Sequence, residues 1–323
     1  MTATRRAFLA ATAACLMPLA ALAQAQYPAQ PVRMIVPYPA GGATDVIARA
    51  LSDGLTTSWG RQVFVENKPG AGTTLAASQV ARAPGDGYTL YMTTSAHTIA
   101  GSIYKKIDFD PVADFAALSL LAKVPLVLVV RPTLGVRTLA DFTKLAKDPN
   151  NKLSYASPGN GTAQHLTGEM FKVATKSSIT HVPYRGDAPA VTDLLGGNVD
   201  AMFATLTTVL PHIASGKVTA LAIANGKRIE KVPEIPTFAE AGLDKFEAST
   251  WFGVLAPASM PGPLRQRISD EIVKLVSEPE MRKRLIELGG EIVGNRPVEF
   301  DAFMREEMKK WKDIVKASGA TID

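Results

Sequence analysis

The sequence predicts an α/β fold of two lobes, each a mostly parallel sheet flanked by helices, with a ligand cleft between them. Three observations predict it. Short apolar runs rich in Val, Ile and Tyr alternate with helical patterns. That alternation starts again in the second half of the chain. The first strand-to-helix turn of each half also carries the same glycine-bearing device. The chain has 323 residues, 46% of them hydrophobic and 20% charged, enough to bury a substantial core. A domain commonly spans roughly 100–200 residues, so two lobes suit the length.

Residues 1–25 read as an export segment. Arg5-Arg6 form a short basic start, an apolar run follows over residues 7–22, and Ala21-Leu22-Ala23 or Ala23-Gln24-Ala25 offers the small residues a signal peptidase reads. Thr4-Arg5-Arg6-Ala7-Phe8-Leu9 resembles a twin-arginine signal, and a Sec signal that contains two arginines is the alternative. Both routes leave the cytoplasm, so a periplasmic location is expected. Cys15 is the one cysteine, and Leu16, Met17, Leu19 and Leu22 continue the apolar run past it, which argues against a lipid anchor. The exported chain is then expected to lack a disulfide, a cysteine nucleophile and a thiolate metal site. Without Arg5 and Arg6, 33 basic residues face 30 acidic ones. There is no Lys/Arg block and no interleaved aromatic platform, so nucleic acid is not expected as a partner. No internal stretch reaches the ~18 apolar residues of a membrane span.

In chain order, residues 32–37, 62–66 and 88–92 predict strands bounded by Pro and Gly. Val46, Ile47, Ala50, Leu51 and Leu55 mark the apolar face of a helix between the first two, and residues 75–81 predict a second helix. The second half predicts strands at 126–130, 153–156, 179–182, 199–204 and 218–224, with helices at 139–146, 163–173 and 189–195. A last strand at 252–256 precedes three amphipathic helices. Ile268, Ile272 and Leu275 share one face, as do Phe300, Phe303, Trp311 and Val315, and core packing explains both stripes.

The two turns carry the functional signal. One reads Val36-Pro37-Tyr38-Pro39-Ala40-Gly41-Gly42-Ala43-Thr44-Asp45, the other Tyr155-Ala156-Ser157-Pro158-Gly159-Asn160-Gly161-Thr162-Ala163-Gln164. Each is a strand end, a proline, glycines, and a threonine able to cap a helix. Glycine lets a ligand approach the backbone closely, and the free N–H groups of a helix start favour an anion. Ligands of open α/β sheets bind beyond the carboxyl ends of strands, where these turns fall. Tyr38, Ala40, Gly41, Gly42, Thr44 and Asp45 therefore face Ser157, Gly159, Gly161 and Thr162 as candidate jaws. Gly72 and Thr73, in the third glycine turn Asn67-Lys68-Pro69-Gly70-Ala71-Gly72-Thr73-Thr74, join them, although a tight connection is the ordinary reading of that loop.

Enzyme readings find little purchase. Gly159-Asn160-Gly161 and Gly70-Ala71-Gly72 both lack the third glycine of a dinucleotide loop. No nucleotide-binding G-x-x-x-x-G-K-[ST] and no G-x-S-x-G elbow is present. His97, His165, His181 and His212 never stand at i, i+4, so neither a metal site nor a cofactor is expected. His165, in the first turn of its helix, could touch a ligand or could be a surface or satisfied buried histidine. His181 reads as structural. Arg185 could pair with a carboxylate ligand or with Asp187 or another acid nearby. Ser157 with His165 is the one nucleophile and base pair a hydrolase could use.

Longer stretches carry a family resemblance. Pro31-Val32-Arg33, Val36 to Gly42 and Thr44-Asp45, then Val65 to Gly72 and Asp86-Gly87-Tyr88-Thr89-Leu90, resemble the tripartite tricarboxylate transporter solute-binding proteins, the Bug family. The likeness continues through Tyr155-Ala156-Ser157, Gly161-Thr162, His181-Val182-Pro183-Tyr184 and Asp193 to Gly197, and closes with Leu210-Pro211-His212-Ile213, Pro236-Thr237, Ala239 to Gly242 and Ala256-Pro257. It implies a two-lobed trap with the type II periplasmic-binding-protein-like fold. Residues 26–122 and 251–323 form one lobe and 123–250 the other, hinged near residues 122–125 and 250–252. Thr94, Ser95 and Phe203 are implied to line the cleft. The implied function is capture, without catalysis, of a small carboxylate: an aromatic carboxylate, a di- or tricarboxylate, or an acidic amino acid. The implied partners are the membrane subunits of a transporter, and the receptor is expected to be a monomer. A ligand-presenting sensor for a membrane receptor and an exported serine hydrolase are the alternatives. Thr73-Thr74-Leu75-Ala76 departs from the family's commoner glycine-bearing continuation, so no relative's ligand carries over.

Overall fold

A computed structural model of the chain describes residues 27–322. The export segment expected over residues 1–25 lies outside the described residues. β1 (Val32–Val36), almost wholly buried, runs parallel to β2 (Val63–Asn67) on one side and β3 (Thr89–Thr94) on the other. α1 (Ala43–Trp59) carries the chain from β1 to β2, buries Ile47, Leu51 and Leu55 against them, and stops at Gly60 in the left-handed conformation, φ 62°. α2 (Thr74–Ala81) and α3 (Ser95–Ile103) follow β2 and β3.

β4 (Phe115–Val130) is 16 residues long, where the sequence predicts only residues 126–130. Its first part pairs antiparallel with β9 (Ser249–Pro257), from Phe115 opposite Pro257 to Pro125 opposite Ser249. Its last five residues pair with β7 (Ala201–Thr205) and β8 (Thr219–Ile223), also antiparallel. One strand therefore threads two sheets. Pro125 reads as a boundary because it lacks an N–H. The amide of Leu126 donates toward β9, to the Ala248 carbonyl at 3.0 Å. Pro125 points the opposite way, where β7 has already ended at Thr205. No ladder bond is forfeited.

β5 (Ser154–Ser157) completes the second sheet, parallel to β7 and to β6 (Thr180–Pro183). The helix-connected strands are thus parallel, as expected. The crossing strands β4 and β9 are not, because the chain must leave the first sheet in one sense and return in the other. Both sheets are mixed. α4 (Leu139–Lys147), α5 (Ala163–Thr175), α6 (Asp187–Gly196) and α7 (Leu206–Ala214) accompany the second sheet. After β9 come α8 (Gly262–Ser277), α9 (Pro279–Glu287), the short β10 (Glu291–Ile292) paired to Ala122 and Lys123, and α10 (Pro297–Ser318). Among the described residues, no helix is long and apolar enough to cross a membrane.

The predicted helix stripes are core. Ile268, Ile272 and Leu275 are buried on α8, as are Phe300, Trp311 and Val315 on α10, with Phe303 half-buried. Trp311 and Val315 pack with Phe142, Phe171 and Phe203, so the end of α10 reaches the core of the second sheet. Glu307 fastens this helix. Its Oε2 accepts from the Trp311 indole at 2.8 Å and from the Trp251 indole, on β9, at 3.0 Å. All three side chains are buried. Removing the acceptor strands two indole N–H groups, each costing roughly 1–3 kcal/mol. Glu307→Ala is expected to lower unfolding free energy by about 2–4 kcal/mol, and Glu307→Gln by less, since it keeps one acceptor. Urea midpoints measure this, and identical midpoints for Glu307→Ala and the parent would show that the indoles find other partners.

Candidate functional site

The site is built from the places where strands hand over to helices. A narrow cavity of about 10 Å³ lies between the two sheets, lined by Ala43 and Thr44 of α1, Thr94 and Ser95 at the start of α3, Ala163 and Gln164 of α5, Asp187 of α6 and Thr205 before α7. Tyr38, Pro158, Thr250 and Phe252 complete the wall. Five helix starts therefore converge on one space. Each presents unpaired amides and the positive end of its peptide dipole. No Lys or Arg lines the cavity, so the positive potential there is that of backbone helix starts.

Side-chain hydroxyls finish the lining. The Thr94 hydroxyl caps α3 by accepting from the Ala96 amide and lies 3.3 Å from the Tyr38 hydroxyl. Ser95 and Thr250 hydroxyls pair at 3.0 Å, joining α3 to the crossing strand β9. The Gln164 amide donates to the Thr205 hydroxyl at 2.8 Å. Burial raises the Tyr38 phenol well above its usual value, so it stays a neutral donor.

Of the sequence candidates, Tyr38, Thr44, Thr94 and Ser95 line this cavity. Gly72, Thr73 and Gly159 line an adjoining mouth that also includes Tyr38, Tyr104, Asn160 and the exposed Arg185. Gly42 is buried at the α1 N-cap, while Ala40 and Gly41 are exposed at the rim. Asp45 lies beneath the loop rather than in the cavity. Its carboxylate takes the Gly41 amide at 3.0 Å, a bidentate Arg49, and Asn67 at 2.9 Å. Burial opposes its ionisation, yet the hydrogen bonds from Arg49, Asn67 and Gly41 outweigh it and hold the carboxyl below its usual value. That staple shapes the first turn.

The second turn is braced in a similar way. Thr162 caps α5 by accepting from the His165 amide at 3.2 Å and donates to the Gly159 carbonyl at 2.8 Å. The Gly161 amide donates to His165 Nδ1 at 3.3 Å. Ser157, fully buried, bonds the Gly159 backbone and lies 2.7 Å from Nε2 of His181, not against His165. The His165 and His181 rings stack at 4.1 Å on the side of α5 away from the cavity. Burial depresses both, to about 4 and about 3, so they are neutral packing groups at neutral pH. Phe203 sits in the apolar core against Tyr155 and Phe171, because its side alternates inward on β7. Among the described residues no group of three or more His, Cys, Asp or Glu is placed to hold a metal.

Sequence reasoning missed Gln164, Thr205, Thr250 and above all Asp187. The first three needed the crossing of strands to reach the cavity. Asp187 had a signal, since Arg185-Gly186-Asp187-Ala188-Pro189 is the next strand-to-helix turn after residues 155–164. In the sequence alone it reads as an ion-pair partner for Arg185.

The family model described as "Tripartite tricarboxylate transporter family receptor" matches residues 47–320. The chain belongs to that family. Among solved structures, the periplasmic binding protein BugD is similar at 35% identity and a TM-score of 0.85, over 91% of this chain and 99% of that one. Rpa4515 of R. palustris with adipate is 31% identical, with a TM-score of 0.89, over 92% and 100% of the two chains. MatC of Rhodopseudomonas palustris with bound malate is 31% identical, with a TM-score of 0.85, over 90% and 100%. This receptor-family chain therefore shares the two-lobed binding-protein fold.

The cavity also sets a pH dependence. Burial raises the Asp187 carboxyl from 3.8 to about 6, against the pull of the Ala43 amide. The ionised group thus costs folding free energy that grows as pH rises from about 4 through about 6 and vanishes below. Asp187→Asn, free of this cost, is expected to be more stable than the parent by on the order of 1–3 kcal/mol at about pH 7.5 and equal to it near pH 4. Urea midpoints at the two pH values read the difference, and a gap independent of pH would show that the carboxyl is not desolvated.

Proposed function

We propose that this chain is a periplasmic receptor that closes two lobes on a small carboxylate and delivers it to the membrane subunits of a tripartite tricarboxylate-type transporter. The observation that carries the reading is the convergence of five helix starts on one cavity that no lysine or arginine lines. Such a cavity neutralises a carboxylate with amides that are already oriented, so little reorganisation is needed on binding. Adipate with Rpa4515 and malate bound to MatC belong to the same chemical class.

In this reading residues 26–122 and 251–323 make one lobe and 123–250 the other, and β4 and β9 are the hinge. The end of α10 lies across onto α5 of the opposite lobe. The lobes meet through close backbone approaches. A Cβ on Gly42 would lie 3.3 Å from Oδ2 of Asp187, and one on Gly72 would lie 2.8 Å from the carbonyl of Asn160. The chain works as a monomer, exported through its residues 1–25 by the twin-arginine or Sec route. It needs neither cofactor nor metal and catalyses nothing. The hydrolase alternative has weaker support, because Ser157 is buried and committed to its own loop. Its neighbour His181, depressed to about 3 chiefly by burial, is a poor base near neutral pH.

Ligand at ~100 times its dissociation constant adds about 2.7 kcal/mol of apparent stability. A thermal-shift screen of carboxylates that begins with adipate and malate should therefore find a clear rise, and small-angle scattering with the best ligand should show a smaller radius of gyration. No shift from any carboxylate would overturn the reading. The adjacent glycines of the first turn should separate in their effects. Gly42, with φ −83°, is unstrained, so Gly42→Val should cost little stability yet weaken binding by pressing on Asp187. Gly41 has open space but φ +89°, so Gly41→Ala should cost about 1–2 kcal/mol of stability. Normal affinity in Gly42→Val would remove lobe contact at that point from the mechanism.

A further inference from the structure

Asp187 is the first residue of α6, and its side chain crosses the gap between lobes. One carboxylate oxygen, Oδ2, sits beside Gly42 at the start of α1, where the Ala43 amide favours its charge. The other, Oδ1, is buried in the cavity wall and has no hydrogen-bond partner. The residue is 7% exposed. A buried carboxylate oxygen left without a donor is costly, and in a ligand cavity it marks the place where a ligand supplies one.

As the wall is placed, none of its donors reaches Oδ1. The Ser95 and Thr250 hydroxyls are paired with each other, and the Gln164 amide is given to Thr205. No cation lines the cavity. An unsubstituted dicarboxylate brought here would place its second charge in the same dry space as Asp187, with only helix dipoles to offset three carboxylates. A ligand that carries an ammonium group solves both problems. Its carboxylate takes the free helix starts, and its N–H groups meet Oδ1 in a charge-assisted bond.

We propose that Asp187 is the specificity-determining residue of this site and selects amino-bearing carboxylates over their unsubstituted counterparts by accepting a hydrogen bond from the ligand ammonium. The inference rests on the carboxylate-capture reading above and adds to it the chemical class of the ligand. It also gives Asp187 a reason to bear the cost of its burial. The ammonium that meets Oδ1 restores in the bound state the solvation that the closed cleft removes.

The experiment measures calorimetric affinities of the full exported chain for pairs of acids that differ only by an amino group: β-alanine and propionate, aspartate and succinate, glutamate and glutarate. The expected result is at least a tenfold preference for the amino member of the best-bound pair, lost or reversed in Asp187→Asn. Asp187→Ser serves as a second variant, with far-ultraviolet dichroism to check the fold of each. The pair comparison on the unmodified chain stands even if both variants misfold. Equal or tighter binding of the unsubstituted acid, including adipate bound while no amino acid is, overturns the assignment of Asp187 and leaves carboxylate capture standing. An amino preference that survives unchanged in folded Asp187→Asn also overturns it, and places the ammonium elsewhere. Absence of binding by every acid tested overturns both readings together.

Discussion

The molecule is organised around the electrostatics of helix starts gathered without a neutralising cation. A helix leaves its first amides unpaired, and one such end is a weak attractor for negative charge. α1, α3, α5, α6 and α7 all begin on one cavity, which adds five weak attractors in a space that side chains have dried. This arrangement turns backbone amides, rather than cationic side chains, toward the cavity. Hence the glycine at the α1 N-cap, the threonines that cap α3 and α5 from behind, and the Asp45 staple that fixes the first turn without entering the cavity. Asp187 is the exception, a fixed negative charge placed among those amides.

That cavity exists only because two strands carry the chain between sheets. β4 and β9 run side by side through the crossing, and the Ser95–Thr250 hydroxyl pair ties the second of them to a helix start of the site. Two neighbouring strands resist shear through their ladder bonds but bend with little loss, a geometry suited to a hinge. The Glu307 bridge adds a further constraint. It anchors α10 to β9 through the Trp251 indole, and the end of α10 packs against α5.

Much of the fold was legible in the sequence. Strands flanked by helices were readable because parallel strands buried on both faces leave mostly apolar runs, such as Met34 to Val36 in β1 and Leu90 to Met92 in β3. The helices were readable because their 3.6-residue stripes are core, as Ile268 to Leu275 and Phe300 to Val315 demonstrate. The long strand β4 was not. Pro125 interrupts it, and only the handover between sheets explains why its missing N–H is harmless there. The family resemblance implies a place for Phe203 in the cleft, but alternation along β7 turns it into the core.

By itself, then, the sequence determined the alternation of strand and helix, the glycine turns that start α1 and α5, and the absence of nucleotide-loop and nucleophile-elbow motifs. Each of these is a local property, written in residues a few positions apart. The tertiary structure alone decided which helix starts share a cavity, that Thr205 and Thr250 join them, and that Asp187 reaches across from the other side. Those contacts join residues 41 to 155 positions apart, through a crossing of strands that no local pattern encodes.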